Sequence, residues 1–184
     1  MRFKNFIINE SYINVFSPEE KIKYVDDVWN IIQSTYSRLG GIKGSGFSSK
    51  EDMISSIPMW KLIRKNGKII AVQLYKDTNG RKFVAAGTDN SPEGKEELKK
   101  VLVSELKMGR SYGEISENIY NLLRNILGDE EIGKYTIHPD EVKKILGKEI
   151  TPSDNGPSYF RNINGHSERK YMIGNPYQKI SSRF

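Results

Sequence analysis

Between residues 60 and 87 the chain reads as three strands in succession, and no other stretch limits the fold so strongly. Trp60-Lys61-Leu62-Ile63-Arg64, Lys68 to Tyr75 and Arg81 to Gly87 are short runs rich in apolar residues. Asn66-Gly67 and Asp77-Thr78-Asn79-Gly80 join them. An Asn-Gly pair accepts the positive φ that a tight hairpin turn requires, so runs on either side of it pair antiparallel. A three-stranded meander is the expected product.

Helical patterns surround this meander. Ser17-Pro18-Glu19-Glu20 is a helix start, with a serine cap, a proline at the first position and acids at the positive dipole end. Ile22, Val25, Trp29, Ile32, Tyr36 and Leu39 then recur at gaps of three and four, predicting one amphipathic helix up to Gly40-Gly41. The glycine-rich run Gly40 to Gly46 lacks the Gly-Lys-Ser/Thr ending of a phosphate loop and follows no strand, so it reads as a connector. Ser48 with Glu51 fits a capping box before Met53, Ile54 and Ile57, and Pro58 closes that helix. Beyond the meander, Ser91-Pro92-Glu93 opens a helix carrying Leu98, Val101, Leu102 and Leu106, which Gly109 ends. A short strand over Tyr112 to Ile115 follows. Ser116 then caps a helix with Ile119, Leu122, Leu123, Ile126 and Leu127 on its apolar side, and Gly128 stops it. His138-Pro139-Asp140 starts a last short helix ending at Leu146-Gly147. Thr151 to Pro157 reads as a loop, and Ser158 to Ile163 and Glu168 to Ile173 form a hairpin around Asn164-Gly165.

Several chemistries are excluded by what the chain lacks. There is no cysteine, hence no disulfide framework, thiolate zinc site or cysteine nucleophile. Its two histidines, His138 and His166, have no second ligand at metal spacing, and no Gly-x-Ser-x-Gly elbow supports a serine triad. No apolar run is long enough for a membrane span, so neither a metal nor a membrane partner is expected. The net charge is +6, from 29 Lys and Arg against 23 Asp and Glu in 184 residues.

The order helix, helix, three-strand meander, helix, short strand, helix, further strands resembles the GNAT acyltransferase fold over roughly Ser17 to Ile173. The resemblance implies an α/β (α+β) fold: a mixed, mainly antiparallel sheet with flanking helices and a C-terminal hairpin. It also implies acetyl-CoA as cofactor. In that family the strand before the third helix splays from its neighbour and pairs with pantetheine, which falls here on Val84, Ala86 and Thr88. The next loop and helix start hold the pyrophosphate, which points to Asp89 to Lys95 and to Gly94 and Lys95 in particular. The family's Gln/Arg-x-x-Gly-x-Gly/Ala pattern is absent, and Asp89, Glu93, Glu96 and Glu97 make the setting acidic. By position Glu114 corresponds to a base for the amine and Tyr120 to an acid for the leaving thiolate. Glu114 also reads as a surface charge, and Tyr120 as a residue rimming the core.

The first ten residues, MRFKNFIINE, are too short in their apolar part for a secretory signal. They resemble the capsid-targeting leader of internal head proteins of T-even-type phages, in which cleavage follows Leu/Ile-x-Glu, here Ile8-Asn9-Glu10. The implied organisation is a leader over 1–10, one domain over 11–173 and a basic tail over 174–184. The implied location is the virion interior and then the host cytoplasm, with a host protein as a partner. A docked first strand is the other reading of these ten residues. The stretch Tyr159 to Tyr171 interleaves aromatics with bases, so Arg161, Arg169 and Lys170 could contact single-stranded nucleic acid, or the stretch is an ordinary alternating hairpin.

Overall fold

A computed structural model describes residues 16–77, 81–109, 112–154 and 156–174. The leader expected at 1–10, most of the turn at Asp77 to Gly80 and the basic tail lie outside the described residues. The meander forms as expected: β1 (Lys61–Lys65), β2 (Lys68–Asp77) and β3 (Arg81–Thr88) pair antiparallel, with Leu62 opposite Val72 and Val72 opposite Gly87. Asn66 and Gly67 take φ of 49° and 79°, the left-handed pair that a two-residue hairpin demands.

The helix expected over Ser17 to Leu39 is broken. α1 (Pro18–Ile22) has the full capping box between Ser17 and Glu20, but the chain leaves helical geometry at Tyr24 before α2 (Val25–Thr35) begins. The break takes Ile22 off the apolar line of α2, and it ends 59% exposed, while Val28, Ile31 and Ile32 enter the core. Two short 3-10 turns, Ser37–Leu39 and Gly41–Ser45, carry the chain to α3 (Lys50–Ser55).

The cap of α3 sits one residue later than the sequence pattern implied. Ser49 accepts the N–H of Asp52 at 3.2 Å, and the Asp52 carboxylate accepts from the N–H and Oγ of Ser48 at 2.8 and 3.0 Å. Lys76 on β2 donates to the same oxygen at 2.8 Å, tying helix to sheet. These bonds, that from Lys76 first, hold the Asp52 carboxyl below its ordinary range. A depressed folded-state value means that the stabilisation is present above about pH 4, the unfolded carboxyl's pKa, and fades as pH falls through the lower folded value. Asp52→Ala is expected to cost about 1 kcal/mol at pH 7. Urea titrations at pH 7 and pH 3 check this, and the difference between variant and wild type should shrink at the lower pH.

The remaining elements are α4 (Pro92–Met108), β4 (Tyr112–Ser116), α5 (Glu117–Leu127), α6 (Asp129–Gly133), β5 (Thr136–Ile137), α7 (Pro139–Leu146), β6 (Thr151–Pro152), β7 (Tyr159–Ile163) and β8 (His166–Gly174). The sheet order is β1-β2-β3-β4-β8-β7-β6, with β5 also on β8, and every pair is antiparallel except β3 with β4. This is the mixed, mainly antiparallel sheet with flanking helices that the order of elements implied.

Both faces of the meander are covered, which is why its strands are apolar on successive residues rather than alternate ones. Leu62, Val72 and Leu74 pack with Val28, Ile32, Phe47, Met53 and Trp60, while Ile63, Ile70 and Ala71 pack with Leu98, Leu102 and Leu106 of α4. A smaller cluster of Tyr112, Ile137, Val142, Ile150, Tyr159 and Met172 fills the space beside α7. Ile126, expected in the core, lies roughly 60° round α5 from fully buried Leu123 and stays 49% exposed. Ile54 is likewise 37% exposed.

Candidate functional site

β3 and β4 run parallel and, among the described residues, pair only at Lys82 with Tyr112 and Phe83 with Gly113. Gly113 makes this contact possible, because a Cβ there would stand 2.6 Å from the Phe83 carbonyl oxygen. Past that point the strands diverge, and among the described residues Val84 to Thr88 have β2 on one side and no strand on the other. Leu74 faces Ala85 and Tyr75 faces Phe83, so Val84 is an extra residue, a bulge at the mouth of the split. The Ala86 N–H points into the gap and donates to the hydroxyl of Tyr36, just past the end of α2, at 3.3 Å. Burial raises the Tyr36 phenol above its ordinary pKa, against the bond from Ala86.

A cleft of about 1230 Å³ occupies this split. Its walls are the glycine-rich turn before α3, the open edge of β3, the end of β4 and the β7–β8 hairpin. Two contacts join the first wall to the last: Asn164 Nδ2 donates to the Leu39 carbonyl at 2.8 Å, and Arg38 pairs with Glu168 at 2.8 Å. Nine Lys and Arg but only three Glu line the cleft, so positive charge is concentrated there.

Val84, Ala86 and Thr88 all line the cleft, as does Lys95. The acidic residues of the neighbouring loop turn elsewhere: Glu93 pairs with Lys65, Glu96 with Lys99 and Glu97 with Lys100, and none of these acids lines the cleft. The loop's own donors are occupied. Thr88 Oγ1 accepts the Asn90 N–H at 3.1 Å, Asp89 Oδ1 accepts the Ser91 N–H at 3.0 Å and its hydroxyl at 2.5 Å, and Ser91 Oγ accepts the Gly94 N–H at 3.0 Å. Gly94 has a packing reason for lacking a side chain, since a Cβ would lie 2.5 Å from the Ile70 carbonyl oxygen of β2. A substitution there would push α4 off the sheet before it tested any ligand.

Glu114 lines the cleft near the joined end of the strands, with its side chain 13% exposed. Its Oε2 accepts from the Tyr159 hydroxyl at 3.0 Å and its Oε1 pairs with Arg161. Burial, and then Glu114, drive the Tyr159 phenol far upward. Tyr120 stands apart from the cleft lining. Its ring stacks on Tyr171 with centroids 3.8 Å apart, and its hydroxyl accepts from Thr136 at 3.5 Å.

Arg161, Arg169 and Lys170 do not share an exposed stripe. Arg161 turns to Glu114, Lys170 is 8% exposed, and Arg169 pairs with Glu117 at 3.0 Å with its guanidinium over Phe160. Sequence reasoning missed Tyr36 and Lys82. Tyr36 looked like one more member of an apolar helix face, and Lys82 looked like an ordinary strand lysine. Among the described residues no group of three His, Cys, Asp or Glu is placed to hold a metal, and no helix is long and apolar enough to cross a membrane.

No family model matches the chain, and no curated protein matches it. Among solved structures it is similar to the ribosomal-protein-S18-alanine N-acetyltransferase from Escherichia coli, at 12% identity and a TM-score of 0.40 over 88% of this chain and 93% of that one. It is also similar to the PaiA N-acetyltransferase from Thermoplasma acidophilum in complex with coenzyme A, at 10% identity and a TM-score of 0.41 over 88% of this chain and 97% of that one. A third is the IAA acetyltransferase from Bacillus cereus, at 10% identity and a TM-score of 0.35 over 69% and 84% of the two chains.

Proposed function

We propose that this chain is a GNAT-like, acyl-CoA-dependent N-acyltransferase. The observation that carries the reading is the split between β3 and β4. An unpaired strand edge inside a sheet offers backbone N–H and C=O groups to an extended amide chain, and pantetheine is such a chain. Lys95 suits a cofactor with several phosphates, and the open end of the split leads to the N-terminus of α4, where an anion is favoured. Val84, Ala86 and Thr88 would hold the pantetheine, and Asn90 and Lys95 would face the phosphates.

Acetyl-CoA, when bound, supplies the acyl group as a thioester. Tyr36 accepts from Ala86 through its oxygen, so its own proton remains available for the sulfur that leaves. Glu114 keeps a lone pair on each oxygen beyond those bonded to Tyr159 and Arg161 and takes the proton of the attacking amine, directly or through water. Tyr120, stacked on Tyr171, is not given the acid role.

Asp89 occupies the donors that a pyrophosphate would use. Calorimetric titration with acetyl-CoA is expected to show binding in the micromolar range. Asp89→Asn keeps an acceptor for Ser91 and removes the charge, and should tighten binding by about tenfold. Absence of heat at millimolar acetyl-CoA in both proteins would overturn the reading.

The self-satisfied loop also favours a second reading, in which the body is a packaged phage head protein that binds a host factor without catalysis. That reading depends on residues 1–10. It expects particles of a phage encoding this chain to contain copies beginning at Ser11. Mass spectrometry that finds only copies retaining Met1, or no copy, rules it out.

A further inference from the structure

Along β4, from the joined end of the split outward, three cations gather round Glu114, apart from the loop before α4. Lys82 leaves β3 at its first pair with β4, Lys170 leaves β8 opposite Ser116 and Tyr159, and Arg161 leaves β7. All three line the cleft with Lys148, which follows α7. Glu114 is the carboxylate whose field reaches both lysines, and Arg161 already holds it; Glu168 also acts on Lys170, and Arg38 holds that one.

Lys170 is 8% exposed and has no hydrogen-bond or ion-pair partner among the described residues. Its stem is buried while its ammonium is open to the cleft, and a partly desolvated cation without a partner there is placed where a ligand can supply the missing charge. Burial lowers the pKa of both Lys170 and Lys82, while the field of Glu114 opposes the change at each. Arg161 bonds Glu114 through one nitrogen, which leaves further guanidinium donors for another anion. β3 rises about 20 Å from Lys82 to Thr88, so phosphates held beside α4 cannot also neutralise Lys82, and Lys170 lies on β8, on the far side of β4 from β3.

We propose that Lys82, Lys170 and Arg161 form an anion subsite for the acyl acceptor, which is therefore an amine bearing a carboxylate or phosphate. A polyamine or a basic peptide would meet like charge here. The inference rests on the acyltransferase reading for the word acceptor, but the subsite itself can be measured without it.

The probes are O-phospho-L-serine, L-glutamate and spermidine, each titrated calorimetrically into the wild type, Lys170→Met and Lys82→Met, with acetyl-CoA titrated separately into all three. Thermal unfolding of each variant checks its fold, and Lys82→Met carries the test if Lys170→Met does not fold. The expected result is millimolar or tighter binding of an acidic probe, weakened at least tenfold in a folded variant whose acetyl-CoA affinity is unchanged. Phosphoserine binding well above glutamate identifies a phosphate, and equal binding a carboxylate. Spermidine binding in preference to both acids, or acidic probes that bind the variants as well as the wild type, would overturn the subsite. If acetyl-CoA binds and no acidic probe does, the subsite fails and the acyltransferase reading stands. If an acidic probe binds through Lys170 and acetyl-CoA does not bind, the reverse holds.

Discussion

Glu105→Ala is expected to lower the unfolding free energy by about 3–5 kcal/mol, which a urea titration at pH 7 would measure. Glu105 lies on the face of α4 that packs against the sheet, beside Leu102 and Leu106, and is 4% exposed. It pairs there with Lys61 of β1 and accepts from the Tyr75 hydroxyl of β2 at 3.2 Å. Alanine would remove the buried carboxylate that pairs with Lys61 and would open a cavity between helix and sheet. The double variant Lys61→Met, Glu105→Leu removes both charges and fills the volume, so it should fall within about 1 kcal/mol of the wild type. A single variant as stable as the wild type would show that the pair contributes nothing.

Gly113→Ala is the second large effect, expected at about 1–3 kcal/mol in the same titration. The Cβ would face both the carbonyl oxygen and the Cβ of Phe83, at 2.6 and 2.8 Å. Backbone cannot yield there as a flexible side-chain tip would, so β3 and β4 must separate at the two residue pairs that join them among the described residues. Acetyl-CoA binding should weaken by more than tenfold, because the same movement changes the width of the split. Gly67 is a useful control, since its hairpin turn leaves open space around it and only its φ of 79° resists substitution. Gly67→Ala should cost less than Gly113→Ala and leave acetyl-CoA binding unchanged.

The meander, α4 with its cap and the β7–β8 hairpin could be read directly, because Asn-Gly turns, Ser-Pro-Glu starts and glycine stops act over a few residues. The breaks were less legible. Nothing in the spacing of Ile22, Val25 and Trp29 marks the kink at Tyr24, and α6 and β5 are too short to show any period. At the site, the resemblance pointed to Val84, Ala86, Thr88 and Glu114, and these four line the cleft. The partners of Glu114 were not foreseeable, because Tyr159 and Arg161 lie 45 and 47 residues away in sequence and meet it only through β8. Lys170 looked like a solvent-facing base because strand alternation marks a polar residue as outward. In a strand with neighbours on both edges whose polar side forms the wall of a cleft, that rule fails.

The position of β8 has a consequence for how the molecule is made. It is the last described strand in sequence, yet it lies inside the sheet, between β4 and β7. While a ribosome is still adding residues before 166, the meander can already be complete, but β4 presents an edge of unsatisfied amides with no neighbour on the β8 side. The nascent chain therefore passes through an interval in which another strand, from a second copy or from a chaperone, could take the place of β8. Synthesis rate and chaperone supply, more than final stability, should govern how much of this protein a cell recovers in native form.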